Sequence, residues 1–359
     1  MSPQTARDTH LARRRLLKAA ALTPALTGMA AGAAAAAPAH GGPPGPSAYA
    51  DAYTGTYAGG GASAGAATGS DADGLARPVP TDQSDWAGVA KAFGRPGNML
   101  GGNLAYHTAF PRNDLRVHSY GVRITPDLAL GSHMAFVRYS DDTVLVMGDL
   151  LVTEDELQPI SDRFQAAGIE QAAIHKHLLA HTPDVWWMHV HGTDQDAEAL
   201  AHSMRKALDV TGTPGPPPAV RHHIDLDAKA MDAAFGCEGD NVGTVRKYVF
   251  RRRETILDGP RVLPPGLGST SAFVFQPLGG GRAALHGDLV MVADEVQGVL
   301  SALRRGGLHL VELHHHNLRD EPRLFFVHVW SVGNATRMAK TLRKAVDLTD
   351  VVPTPTHRG

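Results

Sequence analysis

The chain has 359 residues, enough for about two domains of ordinary size. Its 34 basic and 36 acidic residues leave a net charge of -2, which excludes electrostatic capture by nucleic acid or an acidic membrane. A single cysteine, Cys237, excludes an internal disulfide and a multi-thiolate metal centre, whereas 20 histidines are available as ligands.

The first segment reads as an address. Arg13 and Arg14 precede Leu16, Leu17 and Lys18, close to the twin-arginine pattern R-R-x-hydrophobic-L-K. An alanine-rich stretch from Ala19 to Ala37 follows, and Ala37-Pro38-Ala39 offers a small-residue cleavage site. The competing reading, a membrane anchor, suits the stretch less well because Pro24 interrupts it. Residues 1–39 are thus expected to be a twin-arginine signal peptide. The mature protein is then secreted, periplasmic or cell-wall-associated, with no membrane segment after cleavage. Residues 40–83 are Gly, Ala, Ser and Pro with few large apolar groups, the composition of a disordered linker.

The remainder is a duplication. At a constant offset of 139 residues, Gly148-Asp149-Leu150 meets Gly287-Asp288-Leu289, and Asp155-Glu156 meets Asp294-Glu295. His175, His177, Pro183 and His189 meet His314, His316, Pro322 and His328 at the same offset. The copies run over 84–211 and 225–350, joined by a Pro-rich linker at 212–224.

Each copy reads strand, helix, strand, strand, helix. "AFVRY" and "TVLVMGDL" are β-branched runs around a turn. Copy two turns at "PLGGG", which lacks the Lys-Ser/Thr of a phosphate loop and opens no helix. Thr153 and Glu156 form a capping box for a helix striped by Leu157, Ile160 and Phe164, which Gly168 ends. Two strands, "QAAIHKHLL" and "DVWWMHVHG", meet at Pro183, and a helix over 197–208 closes the unit. The fold class is α+β: two tandem β-α-β-β-α units, each an antiparallel sheet with helices on one face.

Residues two apart on a strand share a face. His175 and His177 therefore face one way, and so do His189 and His191. Pairing about Pro183 sets His177 opposite His189 and His175 opposite His191, so four imidazoles converge, with Ile174, Met188 and Val190 beneath the helices. Neutral imidazoles at that spacing suit a divalent transition metal, zinc or copper foremost. Copy two keeps His314, His316 and His328 but has Trp330 in the fourth place, so copy one is expected to hold the tighter site. A lone strand histidine is usually an ordinary packed residue; two H-x-H pairs, three quarters of which recur in a duplicate, point to ligands.

Other side chains carry weaker signals. Asp149 and Asp288 read first as turn formers at a strand end, and second as carboxylates orienting an imidazole. Glu156 and Glu295 compete between helix capping and a carboxylate ligand. His133, facing Thr270, and His286, facing Met147, each belong to one copy only and are expected to lie outside a shared site. Cys237 reads as a packing residue.

These motifs carry a family likeness. The Gly148-Asp149-Leu150 strand end, the Asp155-Glu156 helix start, Ala173-Ile174-His175-Lys176-His177 and His189-Val190-His191-Gly192 resemble those of the LppY/LpqO family. The resemblance spans Trp86 to Thr349 and implies an exported bacterial protein built from a duplicated domain of unknown function. Lys176 and His315 stand where the family pattern has asparagine, and the anchoring lipoprotein cysteine is missing, which implies a free product. Three functions compete. The first is metal binding by His175, His177, His189 and His191. The second is a metal-dependent hydrolase or oxygenase in which Glu156 or Asp149 is the acid/base. The third is a metal-free scaffold binding cell-wall or small ligands through Trp186, Trp187 and Trp330. A histidine face packed dry against the other copy, with each ring hydrogen-bonded, would favour the scaffold.

Overall fold

The structure, a computed structural model, describes residues 74–216 and 223–354; the expected signal peptide and most of the expected linker lie outside the described residues. Copy one opens with a 3-10 turn, Gln83–Trp86, that runs into α1 (Ala87–Phe93) and ends at Gly94 in the left-handed region. Strands β1 (Asn98–Leu100) and β2 (Ala105–Pro111) follow, then the short β3 (His118–Ser119), β4 (Val122–Arg123) and α2 (Pro126–Ala129). The unit continues with β5 (Gly131–Arg138), β6 (Val144–Thr153), α3 (Glu154–Ala166), β7 (Glu170–His175), β8 (His181–Thr182), β9 (Val185–Asp194) and α4 (Ala197–Leu208).

Copy two repeats this plan. It has α5 (Ala228–Phe235), β10 (Asp240–Val242), β11 (Val245–Arg252), β12 (Leu257–Asp258) and β13 (Arg261–Val262). There follow β14 (Thr270–Gly279), β15 (Arg282–Val292), α6 (Ala293–Arg305) and β16 (His309–His314). The copy ends with β17 (Asp320–Glu321), β18 (Leu324–Asn334), α7 (Ala335–Val346) and β19 (Val351–Pro353). The main sheets run β1-β2-β5-β6-β9-β7 and β10-β11-β14-β15-β18-β16, with β19 on β11. The fold is α+β with antiparallel sheets, and each main sheet has at least two strands, and each copy at least one helix, more than the hydrophobic pattern announces.

One face of each sheet packs on helices. In copy one, Val146, Leu150 and Val190 meet Phe164 and Met204. The other faces turn toward each other: Leu151 and Trp187 share a core with Val274, Ala284 and Trp330, and Met147 shares another with Val290 and Phe326. The order is helices, sheet, sheet, helices. Covered on both sides, β6 is the unbroken apolar run "VLVMGDLLVT", every residue buried but the last.

The linker reading is corrected at its end. Residues 74–83 belong to the folded body, because their backbone groups bond to both copies. Ala76 donates to Pro260 O and accepts from Val262 N, while Val79 N donates to Arg138 O and Ser140 N to Arg77 O. The segment is a strap across the two halves.

Candidate metal centre

The β7–β9 pairing sets Ala173 opposite His189 and His175 opposite Trp187. The expected register, His177 opposite His189, is four residues away. The difference arises because residues 176–184 form no tight turn; a bulge between Gln171 and Ala173 shifts the pairing by one further residue beyond it. Leu178 is instead buried in the core between the copies, and His181 pairs with Ser119 through β8 and β3. Since the slip is an even number of residues, the histidines keep their face. Ile174, expected beneath the helices, is 47% exposed.

That face looks at copy two. Both copies' histidines therefore meet in one buried cluster, rather than four from copy one alone. His175 stacks on His314 with ring centroids 4.1 Å apart, and its Nε2 lies 3.2 Å from His328 Nε2. His177 Nε2 lies 3.1 Å from His175 Nε2, with the His177 ring 3.9 Å from that of His328. On the other side of the pseudo-twofold, His189 sits 4.2 Å from His316. Nitrogens within 4.8 Å of one another form four triads: His175, His314 and His328; His175, His177 and His189; His177, His286 and His328; His189, His314 and His316.

Of the seven candidate ligands, six converge. His191 does not join any of these triads; its Nδ1 lies 3.5 Å from Asp258 Oδ2 instead. His286, set aside for belonging to one copy, does join, with its ring 5.1 Å from that of His177. Alternation held the signal: His286 and Asp288, two apart on β15, share a face. The neighbourhood also includes His107, whose ring is 5.5 Å from that of His133.

Asp149 is no turn former. Strand β6 continues past it to Thr153, and it stands mid-strand, 5% exposed, opposite His133 on β5 and His189 on β9. Asp149 oxygens lie 3.6 Å from His133 Nε2 and 3.8 Å from His189 Nδ1. Asp288 repeats the arrangement at 3.3 Å from His316 Nε2 and 3.7 Å from His328 Nδ1. Ala272, rather than Thr270, occupies the place of His133 opposite the carboxylate.

Burial dominates the electrostatics. It holds His175, His177, His189 and His328 well below the ordinary imidazole range and His286, His314 and His316 down at about 3. It pushes the Asp149 and Asp288 carboxyls up to about 7. The imidazoles are therefore neutral at pH 7, the state in which nitrogen lone pairs bind metal.

The glutamates have other work. Glu156 accepts from Thr153 N at 2.9 Å, completing the capping box, and receives Arg112 Nη1 at 2.8 Å. Arg112 is 1% exposed and also binds Asp114; Arg252, Glu295 and Glu254 repeat the motif in copy two. These triads fix the start of α3 and α6 and contribute no ligand. Arg112→Ala leaves two part-buried carboxylates without their cation, so a loss of about 3 kcal/mol is expected in urea unfolding. A loss under about 1 kcal/mol, the range of surface pairs, would show the triad to be ornamental.

Trp187 and Trp330 are fully buried between the sheets, which removes them from a ligand-binding surface. Trp186 lies under Lys176 Nζ, 4.4 Å from its ring centroid. Cys237 packs against the copy-two core, and burial raises its thiol to about 11.

A family model described as Domain of Unknown Function (DUF1259) matches residues 87–210 and again 229–348. No curated protein matches the chain. Among solved structures, a double-ringed trimeric shell protein from the RMM microcompartment aligns at 9% identity over 57% of this chain and 82% of its own, with a TM-score of 0.17. A superposition that poor carries no argument about fold or function.

Proposed function

The chain belongs to the family of the Domain of Unknown Function (DUF1259), and from its histidine cluster we propose that it is a transition-metal-binding protein whose centre lies between its two copies. The LppY/LpqO likeness of its motifs supports placing it with the exported members of such a family.

The observation that carries the reading is the state of the rings. His175 Nδ1, His177 Nδ1, His189 Nε2 and both nitrogens of His286 are buried with no hydrogen-bond partner among the described residues. Each such atom costs about 1–3 kcal/mol. Packing alone does not favour gathering them, whereas a divalent cation turns their lone pairs into ligands. A metal-free scaffold called for a histidine face packed against the other copy with each ring hydrogen-bonded; the packing is present but the hydrogen bonds are not, which favours the metal over the scaffold. The donor set is nitrogen with flanking carboxylates, which suits zinc or copper.

Elemental analysis of the protein exported by its own signal tests the proposal. Zinc or copper near stoichiometric amounts is expected; protein free of transition metal after purification without chelators would defeat it. The export route has its own test. With Arg13→Lys and Arg14→Lys together, the protein is expected to stay in the cytoplasm, since lysine does not reproduce the planar guanidinium fork. Unchanged export of that variant in cell fractionation would point to another route.

A metal-dependent enzyme is the second reading. A cavity of about 120 Å³ favours it, since Asp149, His189 and His316 are among its lining residues.

A further inference from the structure

Two of the triads share no residue. His177, His286 and His328 form one, and His189, His314 and His316 the other. They are related by the duplication: His177 corresponds to His316, and His328 to His189. The correspondence fails at His286, whose counterpart is Met147, and the second triad recruits His314 instead. Each triad draws on both copies. The cavity lies against both, for His177 and His328 line it together with His189 and His316. Asp149 and Asp288 line it too.

The geometry points to a centre of two metal ions, one in each of these triads, with a small anion held between them in the cavity. This rests on the metal-binding reading above and goes further in stoichiometry and in ligand class.

Three neutral imidazoles are the protein share of a catalytic-type zinc site, in which a fourth position stays open to an exchangeable ligand. Six histidines can supply two such sets, leaving His175 between them, its Nε2 3.1 Å from that of His177 in one and its ring 4.1 Å from that of His314 in the other. Charge then requires a further partner. Two divalent cations bring four positive charges, and the six imidazoles bring none. The carboxylates that face these histidines among the described residues are Asp149 and Asp288, which return two negative charges at most. A buried site does not sustain the remaining positive charge uncompensated. A cavity of about 120 Å³ has room for an anion the size of phosphate or carbonate.

The test uses the full chain, stripped with a chelator and reloaded with zinc alone. Two zinc ions per chain are expected by elemental analysis. His286→Met, which gives copy two the residue of copy one, and His189→Ala are each expected to bring the count to one. With cobalt(II) in place of zinc, inorganic phosphate is expected to shift the visible absorption of the wild-type protein. One zinc per wild-type chain overturns the two-ion centre while leaving metal binding intact; no zinc overturns the metal reading itself. A cobalt spectrum indifferent to millimolar phosphate removes the anion position and with it the proposal. If a variant loses cooperative unfolding, the wild-type count and the cobalt spectrum still decide.

Discussion

Changing His314 and His316 to alanine is expected to cost the protein as much bound metal as changing His175 and His177, about one ion of the two in each case. Sequence alone ranks copy one first, because it has four imidazoles to copy two's three. In the folded chain that ranking disappears, since three of the four nitrogen triads draw on both copies, and each double variant breaks one of the two triads that share no residue. Removing a group that merely orients a ligand already weakens binding by about 10–100-fold, so outright loss of a ligand is expected to cost more than about 100-fold at the affected triad in either variant. Competition against a chelator of known affinity measures this directly. A copy-two double variant that keeps wild-type affinity would return the site to copy one alone.

Acidification is expected to unfold the metal-free protein between about pH 6.5 and pH 5. The seven clustered histidines, His175, His177, His189, His286, His314, His316 and His328, all have folded pKa values below the ordinary 6.5. Their contribution to stability is complete above 6.5 and is lost as pH falls toward the folded values, because only the unfolded chain takes up the protons. Asp149 and Asp288 act the other way. Raised from 3.8 to about 7, they favour the fold at low pH, and that contribution is lost as pH rises through 7. Seven imidazoles outweigh two carboxyls. At about 1.4 kcal/mol per group and pH unit, the net loss is on the order of 7 kcal/mol per unit once the unfolded imidazoles are protonated, comparable with the whole stability of a domain. Circular dichroism against pH gives the midpoint, and saturating zinc is expected to move it downward because protons must displace the metal. Metal-free protein still folded at pH 4 would show that the rings are less buried than the structure has them.

Local chemistry was readable from the residues, and long-range packing was not. The capping box of Thr153 and Glu156 and the helix Ala197–Leu208 stand where their patterns put them. The histidine face was right because strand alternation survives any even shift. The register was not, since nothing local shows that Leu178 leaves the hairpin for the core between the copies. The partner of the histidine face stood only as the mark of one alternative. Its trace was present in "VLVMGDLLV", a run without the polar alternation of a half-exposed strand. A strand apolar on both faces needs a second cover, and only the other copy was available to supply it. His286 was set aside because a duplicate was assumed to contribute equally, whereas facing sheets let one site borrow from either.

The strap at residues 74–83 sets an order of assembly. Ala76 leaves the ribosome long before Pro260 and Val262, to which its backbone bonds. Contacts so distant along the chain close late, after nearer ones have formed. The stretch made first is therefore among the last to find its place, and a chain halted before copy two is complete has its beginning untied.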